Sequence, residues 1–308
     1  MSPNQRPSLR TIAQQLGLST ASVSHAFNRP DRVSAHLRAR VLAEAARQGY
    51  PGPDPAARQL RRGRADALGL VFTSELSFAF RDPAAVGFLE GLARSCEGAG
   101  LNLLVISAQD APGARDVDAV RNAVIDGFVV YSLRDGDPHL AAVLERKLPT
   151  VVVDAPEQAG TADWVGLDDR ASARALGEYL RQLGHRRVGI IIARLSADRH
   201  CGPAGPDRWA HGSSSVGRNR ILGLHDGLAT PDHPAVPVEE HIENSPRAGA
   251  DALHALLDRH PDLTAVCCLS DVLAVGALAA AAQRGLRVPE DLTITGFDGI
   301  AEAERAGI

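Results

Sequence analysis

From residue 67 onward the chain alternates short apolar runs with amphipathic stretches of helical period, in two successive series. This is the pattern of parallel strands joined by crossover helices, because each helix must carry the chain back across a sheet face before the next strand begins. In the first series the spacing predicts strands over 67–73, 102–107 and 127–131, with helices over 86–98 and 117–125. In the second it predicts strands over 150–153, 187–192, 265–269 and 292–296, with helices over 171–183, 218–228, 248–260 and 272–284. Two α/β lobes in one chain imply a cleft between them, where small ligands bind near the carboxyl ends of strands. Residues 194–217, rich in Gly, Ser, Pro and Asp, read as a long surface loop.

The first 64 residues are of another kind. Residues 9–28 have apolar positions at helical spacing on both sides of Gly17, the pattern of a helix-turn-helix, and glycine is the residue that takes a left-handed turn without strain. Ser8 is placed to cap a helix over 9–16 and Ser19 one over 20–28, with Ile12, Ala13, Leu16, Leu18, Val23 and Phe27 as the small core. A third helix over 34–48, capped by Ser34 and ended by Gly49, puts Leu37, Val41, Leu42 and Ala45 on one stripe. Pro51, Gly52, Pro53 and Pro55 then break regular structure. The expected organisation is a helix-turn-helix domain over 1–50, a hinge linker over 51–64 and a two-lobed domain over 65–308.

Charge separates the same two regions. Residues 1–64 hold eleven arginines against Asp31, Glu44 and Asp54, a net +8, so the remainder of a chain whose total is −4 carries −12. A basic head on an acidic body suits a head that meets phosphate while the body stays in solution. No run approaches the roughly 18 apolar residues needed to cross a bilayer, and no leader pattern precedes Leu9, so a cytoplasmic protein without membrane contact is expected. Cys96, Cys201, Cys267 and Cys268 show no metal-ligand spacing and read as reduced thiols, the adjacent pair in a buried strand. Enzyme signatures are missing as well. Residues 212–216 do not form a G-x-S-x-G elbow, and there is no P-loop lysine, no G-x-G-x-x-G after the first strand and no H-E-x-x-H. Neither catalysis nor a cofactor is expected.

With these residues in place the chain resembles the lactose-repressor (LacI/GalR) family of bacterial transcription regulators over essentially its whole length. The head carries Thr11-Ile12-Ala13, Gly17-Leu18-Ser19, Ser22-Val23-Ser24, Phe27-Asn28, Val33-Ser34, Gly49-Tyr50 and Ala57-Arg58-Gln59-Leu60. The lobes add His185-Arg186-Arg187-Val188-Gly189, Arg220-Ile221-Leu222-Gly223-Leu224, Ser270-Asp271 and Gly296-Phe297-Asp298 in the family's order. Two departures stand out. The connection over 199–215 is longer than usual, with Trp209 placed to cover the cleft or meet a partner, and the family continues beyond Ile308 through a returning strand and helix.

The resemblance implies an all-α helix-turn-helix head joined to a two-lobed α/β effector domain like that of periplasmic binding proteins. It implies a repressor controlled by a small-molecule effector, a carbohydrate or related metabolite. It also implies a homodimer on a pseudo-palindromic operator in double-stranded DNA, since two hinges must pack together. Thr20, Ala21 and His25 would face base edges, Ser22, Ser24 and Asn28 would hold the duplex, and Arg58 and Leu60 would lie in the hinge, the leucine wedging into the minor groove. Effector-binding residues would be Asp154, Arg220, Ser270 or Asp271, and Asp298, joined by Phe78, Phe80 and Asp82 after the first strand; carboxylates beside an arginine suit hydroxyl groups. Asp271 would equally cap a helix starting at Val272, and Asp298 would equally serve a turn. The alternative is a sugar-binding protein of the same fold without operator binding.

Overall fold

A computed structural model describes residues 7–53, 62–72, 79–107, 115–157, 160–230 and 235–308. Contacts divide the chain into two units, Met1–Ala65 and Asp66–Ile308.

The first unit is built from helices α1 (Leu9–Leu16), α2 (Thr20–Asn28) and α3 (Ala35–Arg47), with a single 3-10 turn at Pro30–Arg32. Ser8 and Thr11 form a reciprocal cap. The Ser8 Oγ accepts from the Thr11 N–H at 3.2 Å and the Thr11 Oγ1 accepts from the Ser8 N–H at 2.9 Å. Ser19 and Ser34 cap α2 and α3 through the N–H groups of Ser22 and Leu37. Each such cap contributes about 1 kcal/mol, which matters for helices this short. Gly17 turns the chain at φ 64°. Ile12, Val23, Ala26 and Val41 are fully buried, and Phe27 packs edge-on to Tyr50. Leu42 departs from expectation: it sits 38% exposed, because the buried stripe of α3 runs through Val41 and Ala45 instead.

The second unit holds two five-stranded sheets. The first orders β2 (Asn102–Ser107), β1 (Ala67–Phe72), β3 (Gly127–Tyr131), β4 (Thr150–Val153) and β5 (Asp163–Val165), all parallel. Helices α4 (Pro83–Ala99), α5 (Arg115–Asn122) and α6 (Pro138–Glu145) connect them. Helix α7 (Asp169–Gln182) leads into the second sheet, ordered β10 (Thr293–Thr295), β9 (Ala265–Cys268), β6 (Val188–Ala193), β8 (Val238–His241) and β7 (Gly202–Pro203). Only the two-residue β7 runs antiparallel there. Around that sheet lie α8 (Pro206–Ala210), α9 (Ser215–Leu228), α10 (Pro246–Arg259), α11 (Asp271–Gln283) and α12 (Ala301–Ala306). The two sheets wind alike: β1 is flanked by β2 and β3, and β6 by β8 and β9, so each has a switch point beside its first strand where strand ends leave a crevice.

Several elements were not predicted, and each has a physical reason. Strand β8 reads Val-Glu-Glu-His, with no apolar run, because its buried Glu239 and Glu240 are neutralised by Arg259 and Arg208. Strand β5 is an edge strand exposed at every position, so burial leaves no pattern on it. The stretch read as one loop over 194–217 contains β7 and α8, and Trp209 packs against the second lobe's core and stacks on His225 at 5.1 Å rather than covering the cleft. Helix α4 starts three residues before the expected position, with Asp82 as its cap and Pro83 at its first turn.

Helices α7 and α9 approach closely through glycine. A Cβ on Gly223 would stand 2.2 Å from the Arg170 carbonyl oxygen, and one on Gly227 equally near that of Arg174. This contact fixes the height of α9 against the second lobe and so positions Arg220, which projects from its middle.

Candidate functional site

On helix α2, Thr20 and Ala21 are exposed, and Ser22, Ser24, His25 and Asn28 are half-buried. Ala21 and His25 lie one turn apart on one face. Some of the expected DNA-facing groups already hold each other: Ser22 Oγ lies 2.9 Å from Ser19 Oγ, and Asn28 Nδ2 donates to the Ser24 carbonyl at 3.1 Å and its Oγ at 3.2 Å. The buried Asn28 Oδ1 has no partner among the described residues. Arg58 and Leu60 fall outside the described residues.

In the second unit a cavity of about 220 Å³ opens between the lobes. It suits a small metabolite rather than a polymer. Arg220 lines it and is buried. Its Nε donates to Asp169 Oδ1 at 2.7 Å, its Nη1 to the Leu269 carbonyl at 2.8 Å and to Asp298 Oδ1 at 3.3 Å, and the guanidinium lies 3.7 Å from the centre of the Phe297 ring. A cation so satisfied keeps one orientation.

Burial raises the Asp169 carboxyl despite the opposing charge of Arg220. Asp298 is pushed up to about 7, mainly by burial; Arg220 pulls it down, and Asp271 and Asp82 push it further up. Near neutral pH the Asp298 carboxyl therefore both donates and accepts hydrogen bonds. Tyr131 stands above the ordinary phenol range, first through burial and then through Asp154, Asp82 and Asp298. Its ring is held between Phe72 and Phe88.

Of the residues expected to bind effector, Asp82, Asp154, Arg220, Ser270 and Asp298 line this cavity, and Phe78 falls outside the described residues. Asp154 sits at φ 72°, its carbonyl accepting from Trp164 Nε1 at 3.1 Å, and its carboxylate has no hydrogen-bond partner among the described residues. Asp82 is committed: Oδ1 accepts from the Ala85 N–H at 3.0 Å and Oδ2 from Asn244 Nδ2 at 2.8 Å. Ser270 caps α11 and donates to Asn244 Oδ1 at 2.6 Å.

Two expectations fail. Phe80 is 64% exposed and does not line the cavity, because it lies in the turn ahead of Asp82 that points to solvent. Asp271 is buried away from the cavity, and its Oδ2 accepts from the Ile300 N–H at 2.8 Å, so it ties backbone to backbone rather than meeting a ligand; the cap of that helix is Ser270. Sequence reasoning missed Asp169 and Asn244, which hold Arg220 and Asp82, and also Tyr131, Arg134 and Arg194, which line the cavity. The doublet Asp168-Asp169 was visible, with Asp168 as helix cap, but nothing in it marked its second member for Arg220. Among the described residues no cluster suits a metal ion, and no helix is long and apolar enough to cross a membrane.

Comparison with known proteins places this geometry. A periplasmic binding protein-like domain model matches residues 178–306. The HTH-type transcriptional regulator Rv3575c of Mycobacterium tuberculosis is 43% identical over 309 residues, covering 99% of this chain and 86% of that protein. A LacI-family transcriptional regulator from Corynebacterium glutamicum has a crystal structure that superposes with a TM-score of 0.70 at 34% identity, over 98% of this chain and 86% of that one. The lac repressor dimer bound to operator and an anti-inducer shares the fold, with a TM-score of 0.72 at 23% identity over 97% of this chain and 84% of that one.

Proposed function

The chain belongs to the LacI/GalR family of transcriptional regulators, and from that premise we propose that it is a repressor whose grip on a pseudo-palindromic operator is set by a small hydroxylated metabolite bound between its lobes. The observation that carries the reading is the cavity around Arg220. A preset cation, an Asp298 carboxyl that donates or accepts, and an Asp154 carboxylate with open acceptor sites are what a polyol needs, because each hydroxyl both donates and accepts.

The working division is a DNA-binding domain over 1–50, a hinge over 51–64 and an effector-binding and dimerisation domain over 65–308, acting in the cytoplasm where the chromosome lies. Thr20, Ala21 and His25 read bases, Ser22, Ser24 and Asn28 shape that surface, and Arg58 and Leu60 serve the hinge. Two copies act together, as in the lac repressor dimer, because a palindrome presents the same half-site twice. The effector shifts DNA affinity only by as much as it prefers one lobe arrangement over the other.

A thermal-shift screen of sugars, cyclitols and sugar acids tests the effector class. A binding polyol should raise the melting temperature of the native chain and not that of Arg220→Gln. Stabilisation by none of them, or equal stabilisation of both proteins, would refute the assignment.

A further inference from the structure

The two lobes also touch at the rim of the cleft, through residues that line no part of the cavity. The segment over 196–214, between β6 and α9, is pinned to the second lobe. Arg208 reaches Asp198 at 2.8 Å and the buried Glu240 of β8 at 3.0 Å, Glu240 Oε1 accepts from the Leu195 N–H at 2.8 Å, and Trp209 stacks on His225. The far end of this pinned segment meets the first lobe. Asp135, in the turn after β3, donates its N–H to the Ser213 carbonyl at 3.0 Å, and its Oδ2 accepts from Arg218 Nη2 at 2.9 Å. Arg218 also donates Nη1 to the Gly212 carbonyl at 2.6 Å, so one guanidinium joins the end of the segment to the opposite lobe's carboxylate. One residue on, Asn219 Nδ2 donates to Glu157 Oε1 at 3.3 Å, with the same polarity: donor on the second lobe, carboxylate on the first.

We infer that residues 196–214 form a strap, anchored by Arg208 on Glu240, whose end clasps Asp135 through Ser213 and Arg218 and holds the lobes together. An ion pair this accessible is worth little when both side chains are free to wander. Here Arg218 is fixed on the Gly212 carbonyl of its own lobe, so part of the ordering cost is met before the pair forms, and the Asp135 N–H bond to Ser213 forms together with it. The strap thereby sets how readily the cleft opens. That consequence for effector response rests on the reading of the cavity given above, whereas the clasp itself does not, and its test uses neither effector nor DNA.

Spin labels at Lys147→Cys on the first lobe and Glu290→Cys on the second, both exposed, report lobe separation by pulsed dipolar spectroscopy in a Cys201→Ser background; the other three cysteines are buried. Mixed with an excess of unlabelled chain, so that a labelled protomer pairs with an unlabelled one, the parent should give one dominant distance. Asp135→Asn and Arg218→Gln should each add a longer distance and lower the closed-to-open ratio by about three- to tenfold, the range for a charged hydrogen bond partly open to solvent. The exchange Asp135→Arg with Arg218→Asp should recover much of the short distance, which a folding defect would not do. Arg247→Gln, which removes an exposed pair within α10, should leave the distribution unchanged. Distributions identical to the parent's in both single variants, or equal broadening in Arg247→Gln, would overturn the clasp.

Discussion

Arg220 is held on several sides before any ligand arrives, by Asp169, the Leu269 carbonyl, Asp298 and the Phe297 ring. Removing a buried partner is costlier than the pair's own net worth, because the remaining charge is stranded. Arg220→Ala should therefore cost about 3 kcal/mol of stability by urea unfolding, while Asp169→Asn, which keeps an acceptor for Nε, should cost clearly less. Equal losses would mean that the pair is not what anchors the arginine.

Asp298 makes a pH prediction at the same scale. Its folded value, about 7, lies above its ordinary 3.8, so the folded state binds the proton more tightly than the unfolded one. The stabilisation from this group is complete below pH 3.8 and is lost as pH rises through 7. Subtracting the urea-unfolding profile of Asp298→Asn from that of the parent should leave a difference that declines from pH 4 to pH 8; a flat or rising difference would refute the shift. Arg220 and Asp298 were marked as candidates by the family resemblance, whereas Asp169 was not, since its role depends on a helix 51 positions before its partner packing against α9.

At the scale of elements, the close approach of α7 and α9 sets the site. Gly223→Ala would drive a Cβ into the Arg170 carbonyl, so the helices must part, at a cost of about 1–3 kcal/mol. Gly87→Ala, in α4 with open space around it, should gain up to about 1 kcal/mol from helix propensity. Urea midpoints of the two variants moving in the same direction would show that backbone packing at Gly223 is not limiting. Most strands and crossover helices were legible because burial on both faces leaves continuous apolar runs on parallel strands and burial on one face leaves period 3.6 on helices. Among the elements that escaped, β8 buries glutamates, β5 buries nothing, α8 hides in a Gly- and Pro-rich stretch, and α6 and α12, at eight and six residues, are too short to display a helical period. Caps were read more securely, because Ser8, Ser19 and Ser34 act on neighbours three residues away and need no tertiary context. At Asp271 the same logic misled, since Ser270 takes the cap and the aspartate turns inward to Ile300.

At the scale of the whole molecule, a head of net +8 on a body of −12 makes phosphate contact favourable and salt-sensitive, while the proposed reading assigns discrimination between sequences to α2. Selection of binders from a random duplex library, followed by anisotropy titrations of the enriched site and a scrambled duplex at physiological salt, measures that division most directly. The protein should enrich a pseudo-palindrome and bind it at least about 10³-fold more tightly than the scrambled duplex. Ala21→Arg with His25→Ala should abolish the preference while sparing the salt-dependent background. No enrichment, or a preference that survives that double replacement, would contradict the assignment of α2 as the reading element of a ligand-controlled repressor.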